Sequence, residues 1–415
     1  MLTTGQILEL SIDKPAAGGR MIARAAGQVV LVGGAIPGEV VSARIERVGK
    51  GVAYAATIAA VEASPDRREP FVDLPCGGSL YAHISYPRQL TIKGQVIADA
   101  FGRIARLPLE TPPLVAASPE EGYRMRARVH ARNARVGFFR EGTHDVCDAR
   151  ATRQLLPETC DALDALVARL TTASLSGGYE IEISENTAAT ERVVHLDVSP
   201  DIAQAFAAHQ MPGVTGMAAG ASPFWGSPYV TDTIEVEERP IVLRRHVLAF
   251  FQGNRYLLGQ LMAHIARGIE KCNSVVDLYA GVGVFALTAA LAREARVTAV
   301  EGDRVAAADL DANARAANAA VEAVHMDVER FTARRRPSPD VLIVDPPRTG
   351  MSNEALQGAI GLGAPTVIYV SCDVATLARD VRKLVDAGYA VRAVDGFDLF
   401  PNTPHVETVV RFERV

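Results

Sequence analysis

Short apolar segments, many of them β-branched, alternate with glycine and proline over the first part of the chain. Gln6 to Ile12, Met21 to Ala25, Val29 to Val32, Glu39 to Arg47 and Ala53 to Val61 read as strands, separated by Gly18-Gly19, Gly27, Gly33-Gly34, Pro37-Gly38 and Gly49 to Gly51. Five short strands in so few residues predict a small OB-like β-barrel over residues 1–63, an architecture that often holds nucleic acid. Its charges are mixed, so a purely structural module fits the pattern equally well. Ser64 to Pro70 has the composition of a linker. Pro87 to Leu107 and Leu155 to Leu170 read as helices, and Tyr179 to Ile183 with Arg192 to Asp197 as a strand pair. Residues 64–238 are therefore expected to form a mixed α+β central domain. From about residue 240 strand and helix alternate, the mark of an α/β domain with a parallel sheet, here over residues 239–415. Its last strands are Ala390 to Gly396 and Val406 to Phe412.

In an open sheet of this kind ligands gather at the carboxyl ends of the strands. Val275 to Phe285 reads as a buried strand, a glycine turn holding Gly281 and Gly283, and a helix start. The next strand, Arg296 to Val300, ends at Glu301. A glycine loop lets a ligand approach the backbone, and an acidic residue about 20 positions further on can hold two ribose hydroxyls. Val284 and Phe285 follow where a dinucleotide fingerprint has its third glycine, which argues against NAD or FAD and for a nucleoside without a pyrophosphate. Asp277, Asp327 and Asp345 also fall at strand ends. In Asp345-Pro-Pro-Arg348 the prolines fix the backbone, at the least as a rigid turn. Several carboxylates around one crevice suit a nucleoside that carries a cation, such as S-adenosylmethionine. Ile368 to Val370 is a further buried strand, and Asp373 and Thr376 open a helix that runs from Val374 to Ala387. Cys372 thus sits between a strand end and a helix start, where the helix favours thiolate over thiol and so a nucleophile. A small cysteine filling a gap is an equal alternative on this stretch alone.

Composition narrows the class more than the chemistry. Hydrophobic residues at 48% and charged residues at 22% describe a soluble globular protein, and 415 residues call for two or three domains. The net charge of −5 gives no hint of a nucleic-acid partner, which would have to be met by a local basic patch. Arg124, Arg126, Arg128, His130 and Arg132 recur at every second position, so a strand would put all of them on one face. No acidic residue occurs between Glu121 and Glu141, which favours an RNA or DNA face over a merely exposed charged strand. The cysteines at 76, 147, 160, 272 and 372 are odd in number and widely scattered, as expected of free thiols in a reducing compartment. The N-terminus lacks the features of a signal peptide, and the longest apolar stretch, Val275 to Ala292, carries Asp277, Gly281 and Gly283 and makes a poor membrane span. A cytoplasmic protein is expected.

One ordered set of motifs resembles the RNA uracil-C5 methyltransferase family, which makes 5-methyluridine in transfer and ribosomal RNA. It comprises Phe250-Phe-Gln252-Gly-Asn254, Asp277-Leu-Tyr279-Ala-Gly281-Val-Gly283, Glu301-Gly, Asp345-Pro-Pro-Arg348, Ser371-Cys372-Asp373 and Asp398-Leu-Phe-Pro401-Asn-Thr-Pro-His405-Val-Glu407. The N-terminal module, with Ala35-Ile-Pro37-Gly38-Glu39, resembles the family's TRAM domain. The resemblance implies a Rossmann-like class I methyltransferase domain and S-adenosylmethionine held by Gln252, Tyr279, Gly281, Gly283, Glu301, Asp327 and Asp345. It makes Cys372 the nucleophile that adds to C6 of uracil and Glu407 the base that removes the C5 proton; Phe397, Phe400 and His405 are candidates to line the pocket, with core packing the commoner role for aromatics at such positions. It also implies an RNA partner, ribosomal RNA before transfer RNA, bound at Arg124, Arg126, Arg128, His130 and Arg132. Many members hold a 4Fe–4S cluster on four cysteines. Here only Cys76 stands at such a position, with Pro70, Ser79 and Thr152 at the others and Cys147 displaced, so no cluster or other metal is expected and packing should hold the loop. A small-molecule methyltransferase, or an RNA-binding protein with a silent methyltransferase fold, are the competing functions.

Overall fold

The computed structural model describes residues 2–132, 135–172, 178–198, 211–219, 222–269, 272–334 and 336–415. In the N-terminal strand Val40–Val48, Val41, Ala43 and Ile45 point into the core while Arg44 and Glu46 face water. This strand lies antiparallel between Ile7–Ser11 and Val52–Glu62, and three register shifts against the latter help to curl the sheet. Gln28–Gly33, Met21–Ala25 and the short Lys14–Pro15 complete a six-stranded sheet, one strand more than expected. The stretch Ser64 to Pro70 is no free linker. Arg67 reaches back to the buried Glu39 at 2.6 Å and to the Gly34 carbonyl at 2.9 Å, clamping the segment onto the barrel.

The helix Tyr86–Ala100 continues into a π-helical turn, Phe101–Ala105, and ends where Arg106 turns left-handed. Its Ile92 and Val96 pack in the barrel core, and its Ile97, Ala100 and Phe101 pack beneath the C-terminal sheet. One amphipathic element thus joins the first domain to the last. The central sheet has seven strands, in the order Val146–Asp148, Arg135–Phe139, Arg126–Arg132, Tyr179–Glu185, Arg192–Leu196, Gly216–Ala219 and Ser222–Gly226. Helix Pro157–Thr172 covers one face, closing a core of Val129, Phe138, Leu163, Leu166, Ile181 and Ile183.

The boundary expected between residues 238 and 239 cuts a hairpin, Tyr229–Val236 with Arg239–His246. Its Ile234, Val236, Ile241 and Leu243 pack in the C-terminal core, so both strands go with that core. Glu237 and Glu238 form the two-residue turn, both with positive φ, a conformation that Asn-Gly would advertise and Glu-Glu conceals.

The C-terminal sheet runs Val321–His325, Arg296–Glu301, Ser274–Leu278, Val341–Val344 and Thr366–Ser371 in parallel, then Glu407–Arg414 and Tyr389–Phe397, and at its edge Val115–Ala116 from the central region. Glu407–Arg414 is antiparallel to both of its neighbours. Helices Leu258–Gly268, Val284–Ala292 and Arg304–Ala316 fill one side, and Asn353–Gly361 and Val374–Asp386 the other. Among the described residues no helix is long and apolar enough to cross a membrane.

Candidate active site

The late strand Glu407–Arg414 slots in beside Thr366–Ser371, with Thr408 opposite Ser371. The next residues outward on the two chains are Cys372 and Glu407, which the register therefore sets side by side at the sheet's ligand-facing edge. Asp373 caps the helix after Cys372, its carboxylate accepting from the Thr376 amide at 2.8 Å. Thr376 also donates to the Arg348 carbonyl at 3.3 Å, tying the Asp-Pro-Pro-Arg turn to this helix start.

Burial pushes the Cys372 thiol up to about 12, and the Glu407 and Asp345 carboxylates add to the rise, while the Arg348 guanidinium opposes it. The helix start, expected to lower the thiol, is outweighed here by desolvation and two nearby acids. Glu407 is only 3% exposed, and burial, with the Asp345 charge, holds its carboxyl well above the ordinary range. Asp345 rises to about 7 through burial, restrained by the Gln252 amide, which donates to it at 3.2 Å. Asp277, fully buried under the glycine turn, is also pushed up by burial and then by Asp345 and Glu301.

Beside this cluster the glycine turn opens toward solvent. Gly281 has φ +56°, and a Cβ there would meet nothing within 4 Å, so the backbone borders empty space. The Glu301 carboxylate accepts from the amides of Gly281 and Asp303, each at 2.7 Å. Tyr279 is half-buried at φ 63°, a strained conformation for an aromatic residue. Gly283 caps helix Val284–Ala292, packed against Leu287 and Leu310. Asp327 is exposed beside Gly302 at the rim. The open turn, its carboxylates and the Gln252 amide fit a cationic nucleoside.

The segment from Asp398 to Glu407 is anchored from outside the domain. Lys93 and Asp398 form a fully buried pair at 2.5 Å, and Lys93 also donates to the Phe400 carbonyl. Asn402 accepts from Arg68 at 2.7 Å and from Gln89 at 2.9 Å. Lys93→Met would strand a buried carboxylate and should cost about 3–5 kcal/mol in unfolding free energy, read by denaturant titration. Phe397 is core, edge-on to His264, and not a pocket residue. Phe400 and His405 meet edge to face, with ring centroids 6.3 Å apart. Burial, then Arg348 and Lys93, lowers the His405 imidazole to about 4, so it is neutral at pH 7.

The basic strand alternates as expected, with Ala127, Val129 and Ala131 inward. Its charges have partners the local sequence could not show. Glu182 meets Arg126 at 3.2 Å and Arg128 at 2.7 Å, and Glu180 meets Arg128 at 3.2 Å, all from the adjacent strand. His130 stacks on Phe139 at 3.6 Å, and Arg132 is exposed. Arg124 leaves this face. It sits 5.0 Å from the Phe138 ring and 6.0 Å from Phe400, turned toward the pocket. Arg348, which lies beside Cys372, joins the expected site residues; its place directly after two prolines at a strand end is the sequence signal for it.

Cys76 and Cys147, expected as free thiols in a loop held by packing, are bonded to each other, 71 residues apart in sequence. Strand pairing around Phe138–Arg140 brings them together, which no count or spacing of cysteines reveals. Ser79 is buried and the Thr152 hydroxyl is spent on the Ala149 carbonyl at 2.7 Å, so these residues do not fit a cluster held by four thiolates. Among the described residues no group of three or more His, Cys, Asp or Glu is placed to hold a metal ion.

A family model described as tRNA (uracil-5-)-methyltransferase matches residues 211–415, and the TRAM domain model matches residues 2–58. The 23S rRNA (uracil(1939)-C(5))-methyltransferase RlmD of Pseudomonas putida is 32% identical, over 99% of this chain and 94% of that protein. Its namesake from Halomonas elongata is 32% identical, over 98% and 89%. The tRNA (uracil-54, C5)-methyltransferase of Pyrococcus abyssi, solved in complex with S-adenosyl-L-homocysteine, shares the fold with a TM-score of 0.73 at 22% identity, covering 97% of this chain and 99% of that one. The chain belongs to the RNA uracil-C5 methyltransferase family.

Proposed function

We propose that this protein transfers the methyl group of S-adenosylmethionine to C5 of one uridine in 23S ribosomal RNA, through a covalent bond between Cys372 and C6. The observation that carries this is the side-by-side placement of Cys372 and Glu407 at the paired strand ends, next to Asp345 and the open glycine turn. Relatives above 30% identity that bear a 23S rRNA name favour ribosomal over transfer RNA. We place the protein with that RNA in the cytoplasm.

Bound S-adenosylmethionine supplies an electrophilic methyl group. Gln252, Tyr279, Gly281, Gly283, Glu301, Asp327 and Asp345 would hold it. C5 of uracil is too weak a nucleophile by itself, so Cys372 gives up its thiol proton to solvent and the resulting thiolate adds to C6, pushing the ring electrons into an enolate. Arg348, beside the sulfur, offsets part of the rise that burial and the two carboxylates impose on the thiol. After C5 has taken the methyl group, the Glu407 carboxylate removes the C5 proton, and the electrons of that C–H bond expel the thiolate. The target base must leave its stack to reach Cys372, and Phe400, His405 and Arg124 would receive it and its backbone.

Glu407 can accept a proton only when ionised. Burial and the Asp345 charge hold the Glu407 carboxyl above the ordinary range, and Asp345 itself rises to about 7, so kcat/KM for RNA should fall as pH drops and these buried carboxylates take up a proton. A pH–rate profile that is flat from pH 6 to 8 would contradict this. The activity itself is tested by mapping 5-methyluridine in RNA after incubation with the protein and labelled S-adenosylmethionine: label at one 23S uridine is expected, and label only in transfer RNA, or in a small molecule, would overturn the assignment.

A further inference from the structure

Arg124 is held at the pocket by contacts that begin outside it. Its guanidinium donates to the Gln154 side-chain oxygen at 2.7 Å, and the Gln154 amide donates to the Gly77 carbonyl at 2.9 Å. Gly78, at φ +85°, lets that amide lie over the loop, since a Cβ there would come within 2.4 Å of it. Gly77 directly follows Cys76, which is bonded to Cys147 with the Cα atoms 5.8 Å apart. The loop is also attached by main-chain bonds, Gly77 donating to the Phe139 carbonyl at 3.1 Å and Glu141 to that of Pro75 at 2.7 Å, and by an ion pair between Arg140 and Asp73 at 2.7 Å. Both cysteines, 4% and 7% exposed, border a cavity of about 1170 Å³ together with Arg132, Arg135 and Arg140.

Where RNA is modified, thiols are kept reduced, and the disulfides found there are mostly transient. We propose that Cys76–Cys147 is a reversible thiol–disulfide modification site that sets how firmly Arg124 engages RNA, with Gln154 as the positioning residue between them. The inference rests on the RNA-methylating role proposed above. A dithiol passes two electrons and two protons to the two sulfurs. Their bond breaks, both become thiols, and the dithiol closes into its own disulfide. A low-molecular-weight disulfide reverses the exchange. With the bond open, the Gly77 carbonyl loses its covalent pin, and Gln154 and Arg124 lose their fixed orientation. Cys372 and Glu407 lie outside this chain of contacts, so KM for RNA should change and kcat should not.

The test uses the full-length protein. Methyl transfer to RNA is measured as isolated without reductant, after dithiothreitol, and after reoxidation with oxidised glutathione, with alkylation and peptide mass spectrometry reporting Cys76 and Cys147 and verifying that Cys372 is unmodified. Reduction should raise KM for RNA at least about fivefold, reversibly, with kcat within about twofold. Cys76→Ser/Cys147→Ser and Gln154→Ala should show the raised KM in both conditions. Wild-type protein itself supplies both states, so the result does not depend on how a variant folds. Thiols that stay alkylatable after oxidation, or a KM equal in both states, would overturn the inference. Absence of methylation in both states would instead strike the proposed activity, and this inference with it.

Discussion

Cys372→Ala is expected to lose methyl transfer by on the order of 10⁴-fold or more while still binding S-adenosylmethionine. Without the sulfur nothing adds to C6, and C5 keeps the weak nucleophilicity of free uracil. The elements that would hold the cofactor are untouched. Glu301 still braces the Gly281 amide and Gln252 still bonds Asp345. Cys372 is only partly buried, so removing one sulfur leaves little cavity and the fold should persist. Labelled-methyl transfer to RNA and calorimetric cofactor binding read the two halves of this result. Turnover within about tenfold of wild type would remove covalent catalysis.

Glu407→Gln is expected to slow turnover by about 10²–10⁴-fold, the span of a lost general base. The block should come after methyl transfer, because only removal of the C5 proton needs the carboxylate. A methylated RNA joined to Cys372 should therefore accumulate and survive denaturing electrophoresis. The substitution is nearly isosteric at a site that is 3% exposed, so the pairing of this strand end with Phe397 stays intact. A variant that turns over slowly with no trapped complex would place the proton transfer elsewhere.

The C-terminal half was legible because its signals are local. A buried strand, a turn and a helix start fall within a few residues at Gly281 and again at Cys372, and the structure keeps both. That Glu407 ends up beside Cys372 follows from an antiparallel strand inserted at the end of a parallel sheet, which motif order suggests and periodicity alone does not. What stayed hidden depends on contacts distant in sequence. The acidic partners of Arg126 and Arg128 lie more than 50 residues away on the next strand, so a scan for nearby carboxylates missed them. Arg67 docks on Glu39 from a stretch that reads as a linker, and Cys76 finds Cys147 across 71 residues. The Cys372 thiol rises rather than falls because burial and neighbouring carboxylates, invisible one residue at a time, exceed the effect of a helix start.

The attack of Cys372 on the pyrimidine can be caught directly. RNA carrying 5-fluorouridine at the target offers no removable C5 proton, so the reaction should stop at the methylated adduct. Incubated with S-adenosylmethionine, the protein should yield one stable protein–RNA complex whose cross-linked peptide, by mass spectrometry, contains Cys372. Methylated RNA without any such complex, or a cross-link at another residue, would contradict it.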